Sequence, residues 1–276
     1  MLLVLVTGCN PAETPAPVPD GAWYWGDLHA HSAWSWDGCE VWEEDCAIRG
    51  SGPGEDFFDN AAGEALDFAA LTDHAEADWL YPDSASAGLD IWAGQTALVQ
   101  AAESGAVLPI LGYEWTAFRT ELEDDRLTGT HRTVLLSASD ACADYRVPGW
   151  EVPGGEKVHD LGGMVYAQDD PAHADTPADL WKALSQADRD CDPVRWVTFA
   201  HHPAYEVPQV TDWTLSENLP EQETVVEIYS EHGSSECIDT TTEGCDWRVN
   251  TAQGYYPDGS IQAALIEGHR LGFVAG

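Results

Sequence analysis

The amino-acid sequence predicts an α/β barrel, and three observations support this fold class. Short apolar runs rich in β-branched and aromatic residues recur along the chain, as expected of strands. Helical patterns lie between several of these runs, and strands that alternate with helices form mainly parallel sheets. About eight such units fit into the 276 residues, which is the size of a single barrel domain.

Eight runs of strand length are the candidates for the barrel strands. They cover residues 23–28, 67–72, 107–113, 133–137, 164–167, 195–200, 224–229 and 271–275. Three helical patterns, in which apolar residues recur at helical spacing, cover residues 90–103, 178–187 and 259–270. Thr176 and Pro177 stand just before the second helix, where they fit an N-cap and a first helical residue.

Composition and charge exclude several classes of protein. Hydrophobic residues make up 44% of the chain and 13 of its residues are Trp, which is too much apolar surface for a disordered protein. With 49 acidic and 11 basic residues, the net charge is −38, so the basic face that nucleic acid requires is not available. No apolar run reaches the roughly 18 to 20 residues that a membrane-spanning helix needs.

The N-terminal segment indicates a protein of the bacterial cell envelope that is held to the membrane only by a lipid. Residues 1–9 form a short apolar stretch that ends in Thr7, Gly8 and Cys9, a pattern that resembles a lipoprotein signal. Residues 10–22 are rich in Pro and Ala and fit an extended tether before a domain at residues 23–276. A stray apolar N-terminus with a buried cysteine remains the alternative.

The other six cysteines suggest disulfide bonds, since an even number in an exported chain is typical of them. Six cysteines allow 15 pairings, and the simplest scheme joins Cys39 to Cys46, Cys237 to Cys245 and Cys142 to Cys191. A thiolate metal site is the competing interpretation. The chain contains no CxxC, so support for that interpretation is weak.

Metal-ligating residue types follow several predicted strands directly. His29 and His31 follow the first, Asp73 and His74 the second, Glu114 the third, and two further histidines the sixth, His201 and His202. The carboxyl ends of barrel strands meet at one rim, so these side chains are expected to converge there. A buried Glu is costly without a counter-charge, and a divalent ion supplies one. The pattern therefore predicts a metal site.

Six segments that carry these residues resemble the DUF3604 family, which is related to the PHP (polymerase and histidinol phosphatase) superfamily of metal-dependent hydrolases. In chain order they read GDLHAHSAWSWDG, ALDFAALTDHAE, LPILGYEWTA, GTHRTVLL, FAHHPA and VVEIYSEHGSSE. The resemblance runs from about residue 23 to the end of the chain. It implies a distorted (β/α)7-type, TIM-like barrel that holds two or three divalent ions.

The resemblance also implies a set of metal ligands. Matched motif by motif, the ligands are His29, His31, Asp37, His74, Glu114, His131 and one of the pair His201 and His202. Pro203 favours His202, because the superfamily has His-Pro at this point, whereas the position directly after the strand favours His201. The family adds an Asp-x-His after its last strand, and this chain ends at Gly276, so we expect the chain to be truncated at that end.

Asp73 and Arg132 are the candidates for catalytic roles beside these ligands. Arg132 follows His131 and could bind an anionic substrate oxygen, although an ordinary salt bridge explains it equally well. Glu227 and His232 stay open: the first could support a ligand or be a rim carboxylate, and the second could contact substrate.

The predicted function is hydrolysis by a metal-activated water, with a phosphoester as the first choice of substrate. His-rich ligation suits Zn, Mn or Fe better than Mg or Ca, which prefer all-oxygen ligands. The partner is then a small anionic ester and not a nucleic acid. Two alternatives are a hydrolase of amide or sulfate ester bonds on the same barrel, and a non-catalytic envelope lipoprotein that binds metal or another ligand.

Overall fold

The computed structural model describes residues 24–32, 35, 54–74, 91–103, 105–116, 131–136, 174, 176–190, 195–205, 211, 213, 223–230, 232–239 and 255–275. Within them the fold is mixed α/β. The strands are β1 (Gly26–Asp27), β2 (Phe68–Leu71), β3 (Leu108–Thr116), β4 (His131–Leu136), β5 (Trp196–Ala200), β6 (Val225–Ser230), β7 (Gly233–Ser234) and β8 (Gly272–Ala275). The helices are α1 (Phe57–Gly63), α2 (Ile91–Ala102), α3 (Pro177–Asp190) and α4 (Ile261–Ile266).

All eight strands belong to one sheet. Strands β1 to β7 follow one another in chain order across it, and β8 pairs with β6. Strands β1, β2, β3, β5, β6 and β8 run in the same direction, whereas β4 and the short β7 run against them. We call the edge at which the six parallel strands finish the carboxyl edge.

The sheet is curled. In a flat sheet, β1 and β6 would lie five strand spacings apart, which is about 24 Å. Instead, His29 Nδ1, just after β1, lies 2.7 Å from Glu227 Oε2 in β6. The mixed α/β class is thus confirmed, but a closed barrel of seven β/α units stays a prediction, since the described residues contain only four helices and show no pairing between β1 and β8.

The sheet is mainly parallel, as the sequence predicts, and strand β4 is the main exception. The run predicted at residues 133–137 is β4, which begins at His131 and pairs antiparallel with both of its neighbours, β3 and β5. An alternation of apolar and polar residues carries no information about strand direction, so the pattern could not show this reversal. Because of the reversal, the first residue of β4 lies at the carboxyl edge, where Thr116 of β3 pairs with His131.

The other strands agree with the sequence to within a few residues, except that β1 is shorter than its predicted run and the run at 164–167 lies outside the described residues. Helix α3 has the predicted N-cap, because Thr176 Oγ1 accepts a hydrogen bond from the Asp179 amide. Helix α1 and strand β7 were not predicted. Both are short and lack a long periodic pattern.

The main core lies between the outer face of the sheet and the helices. Val134 and Leu136 of β4 belong to one buried cluster with Leu180 and Leu184 of α3. Alternate residues of a strand point to opposite faces. Glu114, His131 and Thr133 therefore occupy the inner, concave face, as the pairing of Glu114 with Thr133 and Thr116 with His131 requires.

Among the described residues, no helix has the length and apolar character to cross a membrane. The predicted signal segment, the whole tether at residues 10–22 and six of the seven cysteines, including Cys9, lie outside those residues. Lipid anchoring, export and the disulfide scheme therefore stay predictions. The one described cysteine, Cys237, is buried.

Candidate metal centre

The carboxyl edge brings together seven of the eight predicted metal ligands. Each comes from the end of a strand, from the loop that follows it or, in β4, from the reversed strand's first residue. They are His29, His31, His74, Glu114, His131, His201 and His202. Asp37 lies outside the described residues. Glu114 differs from its prediction in one respect: it lies inside β3 and forms a bridge with His74, where the sequence placed it just after a strand.

Glu114 lies at the centre of the cluster, and its two oxygens face different histidines. Oε2 is 2.8 Å from His29 Nε2, 2.9 Å from His31 Nε2 and 3.7 Å from His74 Nε2. Oε1 contacts His131 Nδ1. Four imidazoles thus share one buried carboxylate. Three of them lie nearest Oε2, one at the longer distance of 3.7 Å, and the fourth contacts Oε1.

Glu227 of β6 holds two of the histidines by the same ring atom. Its Oε2 lies 2.7 Å from His29 Nδ1, and its Oε1 lies 2.7 Å from His201 Nδ1. Metal-ligating histidines usually donate one ring N–H to a carboxylate, which fixes the tautomer and leaves the other nitrogen for the ion. Glu227 is in position to do this for two histidines at once, a role that the sequence left open.

The charges of these carboxylates set the protonation of the histidines around them. Burial alone lowers the pKa of His29, but the negative charges of Glu227 and Glu114 outweigh it and raise that pKa to about 10. Burial raises the pKa of Glu114, but the surrounding histidines, His74 and His131 foremost, bring it well below its usual value. Glu114 is thus an ionised carboxylate and His29 an imidazolium. The positive charge of His29 balances the carboxylates in the way that a metal ion would.

His201 and His202 differ from His29 because burial dominates for both. It holds the pKa of each imidazole well below the usual value, and the neighbouring histidines lower it further. Both rings are therefore neutral at pH 7 and have a lone pair available for an ion. Both residues lie at the cluster, with 3.9 Å between their ring centroids. The structure therefore allows either His201 or His202 as the ligand that the sequence left open.

Polar residues behind the cluster hold the loop after β1 in place. Asp73 accepts hydrogen bonds from the amide and the hydroxyl of Ser32 and from the amide group of Gln95. Ser35 Oγ lies 3.0 Å from His31 Nδ1 and also accepts a hydrogen bond from the His74 amide. Ser35 could not be recognised from the sequence, since a serine in a loop carries no signal of its partner.

Arg132 lies away from the centre. It follows His131 in β4 and so points to the opposite, outer face of the sheet. There its Nε lies 3.0 Å from Glu223 Oε1, and both residues are buried. Glu223 also accepts hydrogen bonds from the Trp181 indole and the Thr198 hydroxyl. Of the two roles that the sequence allowed for Arg132, the structure contains the salt bridge.

The inner cluster has the donor chemistry and spacing of a divalent metal site. Four overlapping groups have ligand atoms within 4.8 Å of one another: His29 with His31 and Glu114; His74 with Glu114 and His131; His29 with His201 and Glu227; and His201 with His202 and His232. Two ligands at about 2.0–2.1 Å from one ion are roughly 3 Å apart, and His29 Nε2 and His31 Nε2 are 3.0 Å apart. These buried His/Glu groups could hold a metal ion.

Comparison with known proteins adds no relative. No protein-family model matches the chain, and no curated protein matches it. The resemblance to the DUF3604 family stays a prediction that rests on its six motifs.

Replacing Glu227 with Gln is expected to weaken zinc binding by about 10- to 100-fold, the usual effect of losing a carboxylate that orients ligand histidines. The amide keeps the shape of the side chain but cannot accept from both imidazoles as a carboxylate does. Affinity measured by competition with a chelator checks the prediction. Glu236→Gln, at an exposed position, is the matched control and should bind zinc as the wild type does. Equal affinities for the two variants would contradict the orienting role.

Zinc affinity is expected to rise with pH, by up to about tenfold per unit between pH 7 and 9. The pKa of His29 is raised above its ordinary 6.5 to about 10, so the imidazolium dominates throughout this range in the metal-free protein. An ion must displace that proton, and the competition weakens as pH rises. Calorimetry in buffers of different ionisation enthalpy measures the released proton. A zinc affinity that does not change between pH 7 and 9 would contradict the predicted loss of a proton from His29.

Proposed function

We propose that this protein is a metal-dependent hydrolase that cleaves phosphoesters. One observation carries the proposal: the two oxygens of buried Glu114 face different imidazoles, those of His29 and His31 at Oε2 and that of His131 at Oε1. A carboxylate with imidazoles on both sides suits a pair of adjacent divalent ions, which would displace the proton that His29 holds in the metal-free protein. Such ions lower the pKa of a bound water and stabilise the charge on both oxygens of a phosphoester that is being hydrolysed.

The residues of the chain would divide the work as follows. Four imidazoles would bind the ions, those of His29, His31, His74 and His131. Glu114 would supply the negative charge between them. Glu227 and Ser35 orient the imidazoles through their Nδ1 atoms. Asp73 positions the loop after β1 through Ser32 rather than reacting itself. Imidazole-rich ligation favours Zn, Mn or Fe over Mg or Ca.

Arg132 has no part in this proposal, because it is buried on the outer face in its ion pair with Glu223. The anionic group of the substrate would instead be bound by the metal centre itself. A buried polar cluster at the carboxyl edge of a largely parallel sheet is also where α/β proteins place their ligands.

The protein, freed of metal and then loaded with Zn, Mn or Fe, is expected to hydrolyse phosphoesters in a panel that also contains amide and sulfate esters. Chelation should abolish turnover, and re-addition of the ion should restore it. His31→Ala should lower turnover and metal content together. His269→Ala is the matched control, because His269 lies apart from the centre and contacts the Trp213 carbonyl oxygen.

Each failure of this experiment has a distinct meaning. Tight metal binding with no turnover of any ester would replace the proposal with the non-catalytic metal-binding alternative. Turnover of amide or sulfate esters alone would keep the hydrolase and reject the phosphoester. Equal and negligible metal in wild type and His31→Ala would reject the metal centre.

A further inference from the structure

We infer that His201, His202 and His232 form a separate zinc position, distinct from the positions flanked by Glu114. The three residues come from the loops after β5 and β6, and their ligand atoms lie within 4.8 Å of one another. His232 is not among the ligands that the sequence motifs imply. The position concerns metal binding alone and does not require that the protein hydrolyse anything.

The three imidazole rings are mutual neighbours. Their centroids are 3.9 Å apart for His201 and His202, 5.0 Å for His202 and His232, and 5.6 Å for His201 and His232. In a tetrahedral zinc site the ligand nitrogens are about 3.3 Å apart, given Zn–N distances of about 2.0–2.1 Å. Small rotations of the imidazoles would bring nitrogens that already lie within 4.8 Å to that separation.

The buried Nδ1 atom of His202 indicates that a ligand binds here. His202 is 5% exposed, and within the described part of the chain its Nδ1 has no hydrogen-bond partner. A buried polar atom without a partner is rare in native proteins and commonly indicates an ion or a water. His202 also has a positive φ of 32°, which is uncommon for a residue other than glycine, and such conformations cluster at functional sites.

His201 is prepared for the same ion by Glu227. The carboxylate lies 2.7 Å from His201 Nδ1, so the ring proton is held there and Nε2 keeps its lone pair. Glu227 therefore connects the two parts of the centre: it orients His29 for the Glu114 side and His201 for the three-histidine side.

The chemistry of this group differs from that of the Glu114 groups because it contains no carboxylate. Imidazole ligands contribute no negative charge, so the full charge of a divalent ion stays uncompensated, which favours an anionic oxygen as fourth ligand. Three histidines with an open fourth position are a ligand set of zinc, whereas Mg and Ca require oxygen ligands. The position thus suits Zn²⁺ that in turn binds an anionic group.

The test is zinc stoichiometry in the full chain after dialysis, measured by elemental analysis. His232→Ala is expected to lose about one equivalent, the ion of this position, and to keep the rest. His31→Ala should show the reverse pattern, with loss confined to the Glu114 side. His269→Ala controls for the removal of any histidine, and circular dichroism establishes that each variant is folded.

A second variant provides a positive signal. His232→Cys replaces one zinc ligand by another, so Co²⁺ should give a thiolate-to-cobalt charge-transfer band that is absent from the wild type. A folded His232→Ala with wild-type stoichiometry and affinity, or a folded His232→Cys without the band, would overturn the position. Loss of an equivalent in His232→Ala but not in His31→Ala would uphold it and reject the Glu114-centred proposal instead.

Discussion

On the proposed function, Glu114→Gln is expected to lower kcat/KM for a phosphoester by roughly a thousandfold and to remove most of the bound metal. The carboxylate is buried and lies among four imidazoles. A bound ion supplies several kcal/mol of transition-state stabilisation, and a loss of about 4 kcal/mol corresponds to about three factors of ten in rate. The substitution keeps the volume of the side chain but not its charge. It should therefore act on cation binding and not on packing.

Kinetics on the best ester of the panel, together with elemental analysis, measure this effect. The control is Glu236→Gln, which makes the same chemical change at an exposed position. A folded Glu114→Gln protein that retained its metal and more than about a tenth of the activity would show that this carboxylate is not shared by the ions.

Arg132→Ala is expected to have the largest effect on stability, a loss of about 3–5 kcal/mol. The guanidinium and Glu223 are both buried on the outer face, and removal of one leaves the other as an unpaired charge. For a domain of this size the melting temperature should fall by roughly 6–20 °C. Because Arg132 points away from the centre, zinc affinity of the folded variant should remain that of the wild type.

A double variant separates the charge from the packing. Arg132→Met with Glu223→Leu removes both charges and should recover part of the stability that the single variant loses. Recovery will be incomplete, since Trp181 and Thr198 lose the oxygen that accepts their hydrogen bonds. A single Arg132→Ala variant that lost less than about 1 kcal/mol would indicate a solvent-screened pair.

The sequence located the centre because metal-ligating residues follow the strands. His29, His31, His74 and His201 stand directly after apolar runs, so a parallel arrangement alone was enough to bring them to one edge. Glu114 was found in the same way, although it lies inside β3. The position of these residues directly after apolar runs in the sequence thus predicted much of the ligand set, without any knowledge of long-range contacts.

Other features depend on information that no local pattern contains. The reversal of β4 explains why His131 begins a strand whereas the other histidines follow strands. Alternate residues of β4 point to opposite faces of the sheet, so Arg132 and His131 cannot both face the centre. Which of the two faces is the inner one depends on how the sheet curls. Glu227 in the VVEIYS strand looked like a rim carboxylate or a support, and only contacts with His29 and His201 distinguish the two.

The contact between His29 and Glu227 has a consequence for the order of folding. The two residues are 198 positions apart in the chain, so their hydrogen bond forms only when the first and the sixth strands have met. Contacts of such long sequence separation form late, because the loop entropy must be lost before they can stabilise anything. Ions that bind only the native state would then stabilise this last step. Chain fragments that end before β6 would lack the complete centre, however well their earlier strands pair.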